Sequence, residues 1–241
     1  MALIYEPRGK AGEYSPLALN IYKGCAHACV YCYAPAATYR KPEDFHQKIE
    51  PRKNFITELH KDLLHFEADL RPILLCFTCD PYQLIEEELK LTRYTLKSLI
   101  DNKNKIRILT KGGLRAVRDF DIIQTGNCEF GVTLTTLDEK QSLEWEPKAA
   151  LPWDRIKSLQ LAKEVNIKTW VSLEPVIDPE QVYKIIESTQ EVVDLYKVGK
   201  MNYHPISKTI NWRAFGFKVK ELLQSLHKNY YIKQDLLKFM Q

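Results

Sequence analysis

Cys25, Cys29 and Cys32 fall within eight positions of one another, in the stretch YKGCAHACVYCYAP at 22–35. The spacing is Cys-x3-Cys-x2-Cys. Three thiolates are one short of the closed, four-ligand shell of a structural zinc site. They are also one short of the four that normally hold an iron–sulfur cubane. On a cubane, three thiolates leave one iron with an open position, where a substrate or cofactor can bind. Cys76 or Cys79 could supply a fourth zinc ligand, whereas His27 is tethered too tightly inside the triplet. A disulfide fragment is the third reading. It fits poorly, because the chain has only six cysteines in 241 residues and opens on MALIYEPRGKAGEY, which has no apolar secretory core. A cytoplasmic protein is the expectation.

Other residue types able to do chemistry recur just after short apolar runs. These include Thr78 and Asp80 in CFTCDPYQ, Lys111 in ILTKGGL and Thr133 in EFGVTLTT. Glu174 in SLEPVID and Lys197, Lys200 and Asn202 in YKVGKMN follow the same rule. A carboxylate such as that of Glu174, at the end of a buried run, is costly unless it is paired or used.

Those positions depend on the elements that carry them. LALNIY, PILLCFT, KIRILT, EFGVTLT, KTWVSLEPVI and VVDLYKVG are short runs, apolar on both faces, as in parallel strands buried on two sides. Between them lie amphipathic segments. EEELKLTRYTLKSLIDN places Leu89, Leu96, Leu99 and Ile100 on one helical face, and PWDRIKSLQLAKEVN repeats the pattern. In DPEQVYKIIESTQ, Asp178 is an N-cap and Pro179 opens the helix. Alternating strands and helices predict an α/β fold, a partial (β/α)6 TIM-like barrel of parallel strands with outer helices. In such barrels function sits on the loops at the strand C-termini, where the residues above fall. The expected layout is one domain over 1–241, with an N-terminal extension (1–16), a barrel core (17–200) and a C-terminal helical segment (201–241). Hydrophobic residues at 45% and charged ones at 27% are ordinary for a globular protein. The net charge of +4 is mildly basic and favours anionic partners. No apolar run approaches membrane-spanning length, so no membrane partner is expected.

GCAHACVYCYA resembles the cluster motif of the radical S-adenosylmethionine (SAM) superfamily, including the aromatic Tyr31 just before the last cysteine. The resemblance implies a [4Fe–4S] cluster on Cys25, Cys29 and Cys32, with SAM on the fourth iron. It implies reductive cleavage of SAM to a 5′-deoxyadenosyl radical, hydrogen abstraction from a substrate, and an electron donor of flavodoxin or ferredoxin type. From about residue 4 to residue 200 the chain is also similar to the spore photoproduct lyase-like (DNA repair photolyase-like) branch. Thr78, Asp80, Pro81, Tyr82, Gln83 and Glu86 match one element of that branch. The same resemblance makes Thr78, Asp80, Thr110, Lys111 and Thr133 cofactor-binding residues. Glu146 and Arg155 also match the family and would form an ion pair holding their loop, whereas Glu174, from its place at a strand end, would receive the cofactor's ribose hydroxyls or the substrate. It implies DNA or a nucleotide as substrate.

Spore photoproduct lyase uses a cysteine near this point as a hydrogen-atom donor. Alignment on the Thr-x-Asp element puts Phe77 there, flanked by Cys76 and Cys79, which become the candidate donors. Strand alternation would put Cys76 on the same face as Thr78 and Cys79 on the opposite face. Cys128 opens a strand on the far side and reads as core. The C-terminal region mixes Lys and Arg with Trp212, Phe215, Phe217, Tyr230 and Tyr231, a pattern that can grip nucleic acid. Its apolar residues at helical spacing also fit packing on the barrel. Two alternatives stay open: a radical enzyme modifying a small molecule, peptide or protein, and a non-catalytic zinc- or cluster-containing nucleic-acid-binding module.

Overall fold

The computed structural model describes residues 2–67 and 69–241. Met1 and Ala68, which fall within the expected domain span, lie outside the described residues. An eight-stranded sheet forms the frame. In chain and spatial order its strands are β1 (Ile4–Tyr5), β2 (Leu17–Leu19), β3 (Ile73–Leu75), β4 (Ile106–Thr110), β5 (Cys128–Thr133), β6 (Lys168–Leu173), β7 (Leu195–Val198) and β8 (Asn229–Ile232). β1 pairs antiparallel with β2, and every other pairing is parallel. A separate two-stranded ribbon, Tyr22–Lys23 with Glu50–Pro51, flanks the cysteine loop.

The two faces of the strands differ. One set (Leu17, Leu19, Ile73, Leu75, Ile106, Ile108, Phe130, Val132, Val171, Leu173) joins the main core. The core is completed by helices α1 (Phe55–His65), α2 (Leu91–Asp101), α3 (Pro152–Glu164), α4 (Pro179–Thr189) and α5 (Trp212–Ser225). The alternate set (Ala18, Leu74, Trp170, with Leu109 and Leu195) gathers around Tyr14 inside the partial barrel. That inner face is not wholly apolar, as the runs suggested. Arg107 pairs with Glu129, its cross-strand neighbour, at 2.6 Å, and Lys197 is buried there.

The segment expected to be one helix from Glu86 breaks at Lys90, whose positive φ of 51° ends a short turn before α2 begins. Asp178 caps α4 as its type suggests, accepting from Glu180 N at 2.9 Å. Trp212, Phe215, Val219 and Leu223 of α5 enter the core, so those aromatics pack rather than face a ligand. The chain then adds a strand, β8, which extends the parallel sheet beyond the barrel core expected at 17–200. No helix among the described residues is long and apolar enough to cross a membrane.

The residues between β1 and β2 reach the opposite end of the sheet. Lys10 Nζ bonds Asn202 Oδ1 (2.7 Å) and Asp235 Oδ2 (3.0 Å). Glu13 Oε2 accepts from Tyr231 Oη (3.0 Å) and Gln234 N (2.8 Å). Arg107 and Lys197 both donate to the Tyr14 carbonyl, at 2.6 and 2.9 Å. This segment is therefore a strap that joins β1 to β8 across the open side of the barrel.

Lys197 does not reach the rim where its position in the sequence suggested. Its ammonium lies inside, 5.3 Å from the Tyr14 ring centroid and 5.5 Å from that of Trp170. Burial, with Arg107 adding, pulls it down to about 7. In an unfolded chain it titrates near ~10.4. Between those limits the unfolded chain binds more protons than the folded one, so stability rises with pH. Thermal unfolding temperature should climb from about pH 7 to pH 9 in the parent. In Lys197→Met the climb should flatten, and equal slopes would contradict the assignment.

Candidate active site

The cysteine loop follows β2 and is fixed mainly through backbone. Gly24 takes a φ of +85°, and a Cβ there would lie 2.5 Å from the Phe45 carbonyl, so only glycine fits the approach. Cys25 N donates to Phe45 O (3.2 Å), and His46 Nδ1 bonds Cys25 O (2.8 Å). Gln83, fully buried, accepts from Ala26 N at 2.9 Å. Val30 N donates to Trp145 O (2.9 Å). The loop is thus held from three directions before any ligand is considered. Gln83 acts as a clamp on it. Glu86 is likewise structural, accepting from Tyr22 Oη, from Thr92 N (2.8 Å) and from Arg118.

Cys25, Cys29 and Cys32 are free, half-buried thiols on the wall of one pocket of about 420 Å³. Thr78, Asp80, Thr110, Lys111, Thr133 and Glu174 line the same pocket, as do Cys76 and Cys79. The topology therefore gathers these residues at the C-terminal ends of the strands, while Lys197 stays inside the barrel.

Their surroundings assign them different work. Asp80 accepts from Thr110 Oγ1 (2.6 Å), Lys111 N (2.7 Å) and Tyr82 N (2.8 Å). Burial opposes its charge, yet His27 and these donors hold the carboxyl below its ordinary value. Asp80 and Thr110 thus order the loops after β3 and β4. Lys111 is different. Its ammonium sits 5.6 Å from the Tyr31 ring centroid and has no hydrogen-bond partner among the described residues. Burial works against that charge, but Cys29 and Glu146 hold it above its ordinary value. It is an available cation in a half-enclosed pocket.

Beneath the cysteines lies a buried charge pair. Arg155 meets Glu146 at 2.6 Å, with both side chains at 1% exposure or less. Tyr31 Oη donates to Glu146, and Arg155 donates to the carbonyls of Thr133 (2.9 Å) and Ala150 (2.8 Å). The pair ties the residue before Cys32 to the end of β5.

One expectation from strand alternation changes. β3 ends at Leu75, so residues 76–80 turn out of the sheet and the period-two rule lapses. Cys79 consequently shares the pocket wall with Cys76, and the two thiols interact. Burial pushes the Cys76 thiol well up, so it stays protonated. Cys128 is buried at the start of β5 and lies outside the pocket.

The outer wall was not apparent from spacing. It is made by Arg8, Lys10 and Tyr14 of the strap, by Tyr33, Phe77 and Ser172, by Lys200 and Asn202, and by Tyr203 and Lys233. Tyr203 is 92% exposed with Lys10 over its ring, Tyr33 is 49% exposed, and Arg8 has no partner among the described residues. Only Lys200 and Asn202 of this wall could be found from their place after a strand.

The donor set fits a cluster better than a single ion. Among the described residues no group of three or more His, Cys, Asp or Glu converges as the ligands of one metal ion would. The three cysteines instead line one shared, open pocket. A larger group with one uncommitted position suits that arrangement.

The profile of the Radical SAM superfamily matches residues 19–193. An uncharacterized protein of Methanocaldococcus jannaschii is 29% identical over 187 residues, covering 76% of this chain and 70% of that protein. Among solved structures, a spore photoproduct lyase double mutant with bound AdoMet and dinucleoside spore photoproduct superposes with a TM-score of 0.69. It is 10% identical, over 90% of this chain and 76% of that one. Streptococcus suis SuiB bound to precursor peptide SuiA gives 0.68 at 19% identity, over 94% of this chain. The chain spans about half the length of SuiB, 51%. At these identities the two structures establish a shared fold.

Proposed function

The chain belongs to the radical SAM superfamily, whose members use a [4Fe–4S] cluster and SAM, and from that premise we propose that it abstracts hydrogen from a nucleic acid or nucleotide. Cys25, Cys29 and Cys32 would hold the cluster. When bound, cluster and SAM supply reductive cleavage of the sulfonium and, through it, hydrogen-atom abstraction.

The protein's own groups position and protect that chemistry. Lys111 offers a carboxylate a cation with no hydrogen-bond partner among the described residues, Thr133 a hydroxyl, and Glu174 an acceptor. Thr78, beside Asp80, completes the wall after β3. Cys76 and Cys79 are the candidate hydrogen donors. Burial keeps Cys76 as a thiol, the form that has a hydrogen atom to give.

The observation that carries the substrate class is the outer wall. Exposed Tyr203, with Lys10 over its ring, lines the pocket together with Tyr33 and with Arg8, whose guanidinium has no partner among the described residues, while Lys10 is shared with Asp235. Aromatic faces for bases, next to cations for phosphates, are how single-stranded nucleic acid is gripped. The spore photoproduct lyase structure, with its dinucleoside lesion, makes UV-damaged DNA the first candidate and a lyase-type repair the reaction to try. SuiB, bound to a precursor peptide, makes a peptide the second. We assign a flavodoxin- or ferredoxin-type electron donor and a cytoplasmic location, where the six cysteines remain thiols.

Anaerobic reconstitution should load about four irons and four sulfides per chain. With SAM and reductant, 5′-deoxyadenosine should appear, and UV-irradiated DNA should increase its yield and pass deuterium from labelled thymine into it. Tyr203→Ala should raise the KM for DNA roughly 5- to 150-fold, the range expected for one lost base-stacking contact. Stoichiometric zinc without SAM cleavage would overturn the family-level chemistry in this chain. Cleavage that responds to a peptide but not to DNA would overturn the substrate class.

A further inference from the structure

Glu174 follows β6, and its carboxylate lines the pocket with unequal oxygens. Oε2 accepts twice, from Tyr14 Oη at 2.7 Å and from Lys233 Nζ at 2.5 Å. Among the described residues Oε1 has one hydrogen-bond contact, Asn202 Nδ2 at 3.4 Å, too long to use its capacity. The seat is reserved for this group. A Cβ on Gly199 would come within 2.9 Å of both carboxylate oxygens. Lys233 is almost fully enclosed, with a side-chain exposure of 2%, and its ammonium lies 4.4 Å from the Tyr14 ring centroid. Tyr14 comes from the strap and Lys233 from just after β8. Both lie outside the family-matched residues 19–193.

We propose that Lys233 and Tyr14 are positioning residues that pin Oε2 and so present Oε1 to a hydroxyl of a ribose or deoxyribose. The counter-charge decides the ligand class. A carboxylate neutralised by Lys233 still accepts a hydrogen bond but offers little extra to a cation, and it does not repel nearby phosphate. A neutral sugar hydroxyl is the donor that such an acceptor suits. That hydroxyl belongs either to SAM or to a nucleotide substrate. The inference rests on the proposed function, because it takes a nucleoside as occupant of this pocket.

The test uses cluster-reconstituted protein and two constants. One is the Kd for SAM by equilibrium dialysis without reductant, and the other is the KM for single-stranded DNA in the deoxyadenosine assay. Lys233→Met should weaken one of them about tenfold or more, the effect of losing a charge-assisted contact. Lys233→Arg should recover most of it, and cluster content should not change. A weakened SAM Kd assigns the hydroxyl to the cofactor, whereas a raised DNA KM with unchanged kcat assigns it to the substrate. Glu174→Gln, which keeps the side-chain shape, should weaken the same constant and decides the matter if Lys233→Met does not fold. Both constants within twofold of the parent in Glu174→Gln would overturn the proposal. A parent that loads no cluster, or never cleaves SAM, would instead overturn the functional reading beneath it.

Discussion

Cys29→Ala is expected to leave a folded chain that carries no cluster. The loop's order comes from backbone bonds that this substitution leaves alone. Val30 N still reaches Trp145 O, Cys25 N still reaches Phe45 O, and Gln83 still accepts from Ala26 N. The thiol itself contributes little to that framework. Burial pushes it up to about 12, against the Lys111 charge that favours its thiolate, so the apo-protein holds it protonated. In the proposed role it is a ligand, and metal binding would draw the proton off. Two remaining thiolates cannot hold a cubane that already lacks its fourth protein ligand. After anaerobic reconstitution, the broad visible absorbance and the iron content should fall to background, and SAM-dependent deoxyadenosine should fall with them. Far-UV circular dichroism should match the parent. Cys128→Ala, buried at the start of β5 away from the pocket, is the control and should load its cluster normally. A Cys29→Ala protein with a parental cluster spectrum would refute the ligand assignment.

The cysteine triplet was legible because its chemistry is local. Three ligands within eight residues need no tertiary partner to be noticed. The sheet was legible for a related reason: each of β2 to β7 is announced by its own apolar run. The ends of those runs were not. PILLCFT contracts to Ile73–Leu75, because the chain must turn at Cys76 for Asp80 to reach Thr110 and the Lys111 amide. That turn also undoes the alternation argument for Cys79. The acidic and hydroxyl side chains of Asp80 and Thr110 could be read as site residues, but that they spend themselves on each other could not. β1 and β8 were missed for another reason. Ile4–Tyr5 is too short to show a period, and the aromatic NYYI of β8 owes its strand state to the register with Leu195–Val198. Lys233 and Tyr14 meet Glu174 across 59 and 160 residues, and no spacing rule reaches that far. The part of the pocket lined by the cysteine loop and the first residues after the strands was therefore visible in sequence, and most of the wall made by the strap and by the residues after β7 and β8 was not.

Arg155→Met should be among the most destabilising single changes available outside the hydrophobic core. Glu146 and Arg155 have almost no contact with water, and each is the other's counter-charge at 2.6 Å. Removing the guanidinium strands a carboxylate in a pocket it shares with Tyr31 and Cys29. It also frees the Thr133 and Ala150 carbonyls that Arg155 satisfies. Breaking one partner of a buried pair typically costs about 3–5 kcal/mol. For a chain of this size that corresponds to a fall in Tm of roughly 6–20 °C. The acid limb supplies a second signature. Burial opposes the Glu146 charge, but Arg155 and Lys111 hold its carboxyl below the ordinary value. The stability it contributes is therefore complete above the unfolded carboxyl pKa of about 4.3 and is lost as pH falls through the lower folded value. In Arg155→Met that portion of the acid transition should shift upward in pH. Glu146→Gln in the Arg155→Met background removes the stranded charge and should recover part of the loss. Urea titrations of the parent, both single variants and the double variant close the cycle. If the double variant falls by the sum of the singles, the two residues are not coupled. The loop between Tyr31 and the end of β5 would then need another explanation for its order.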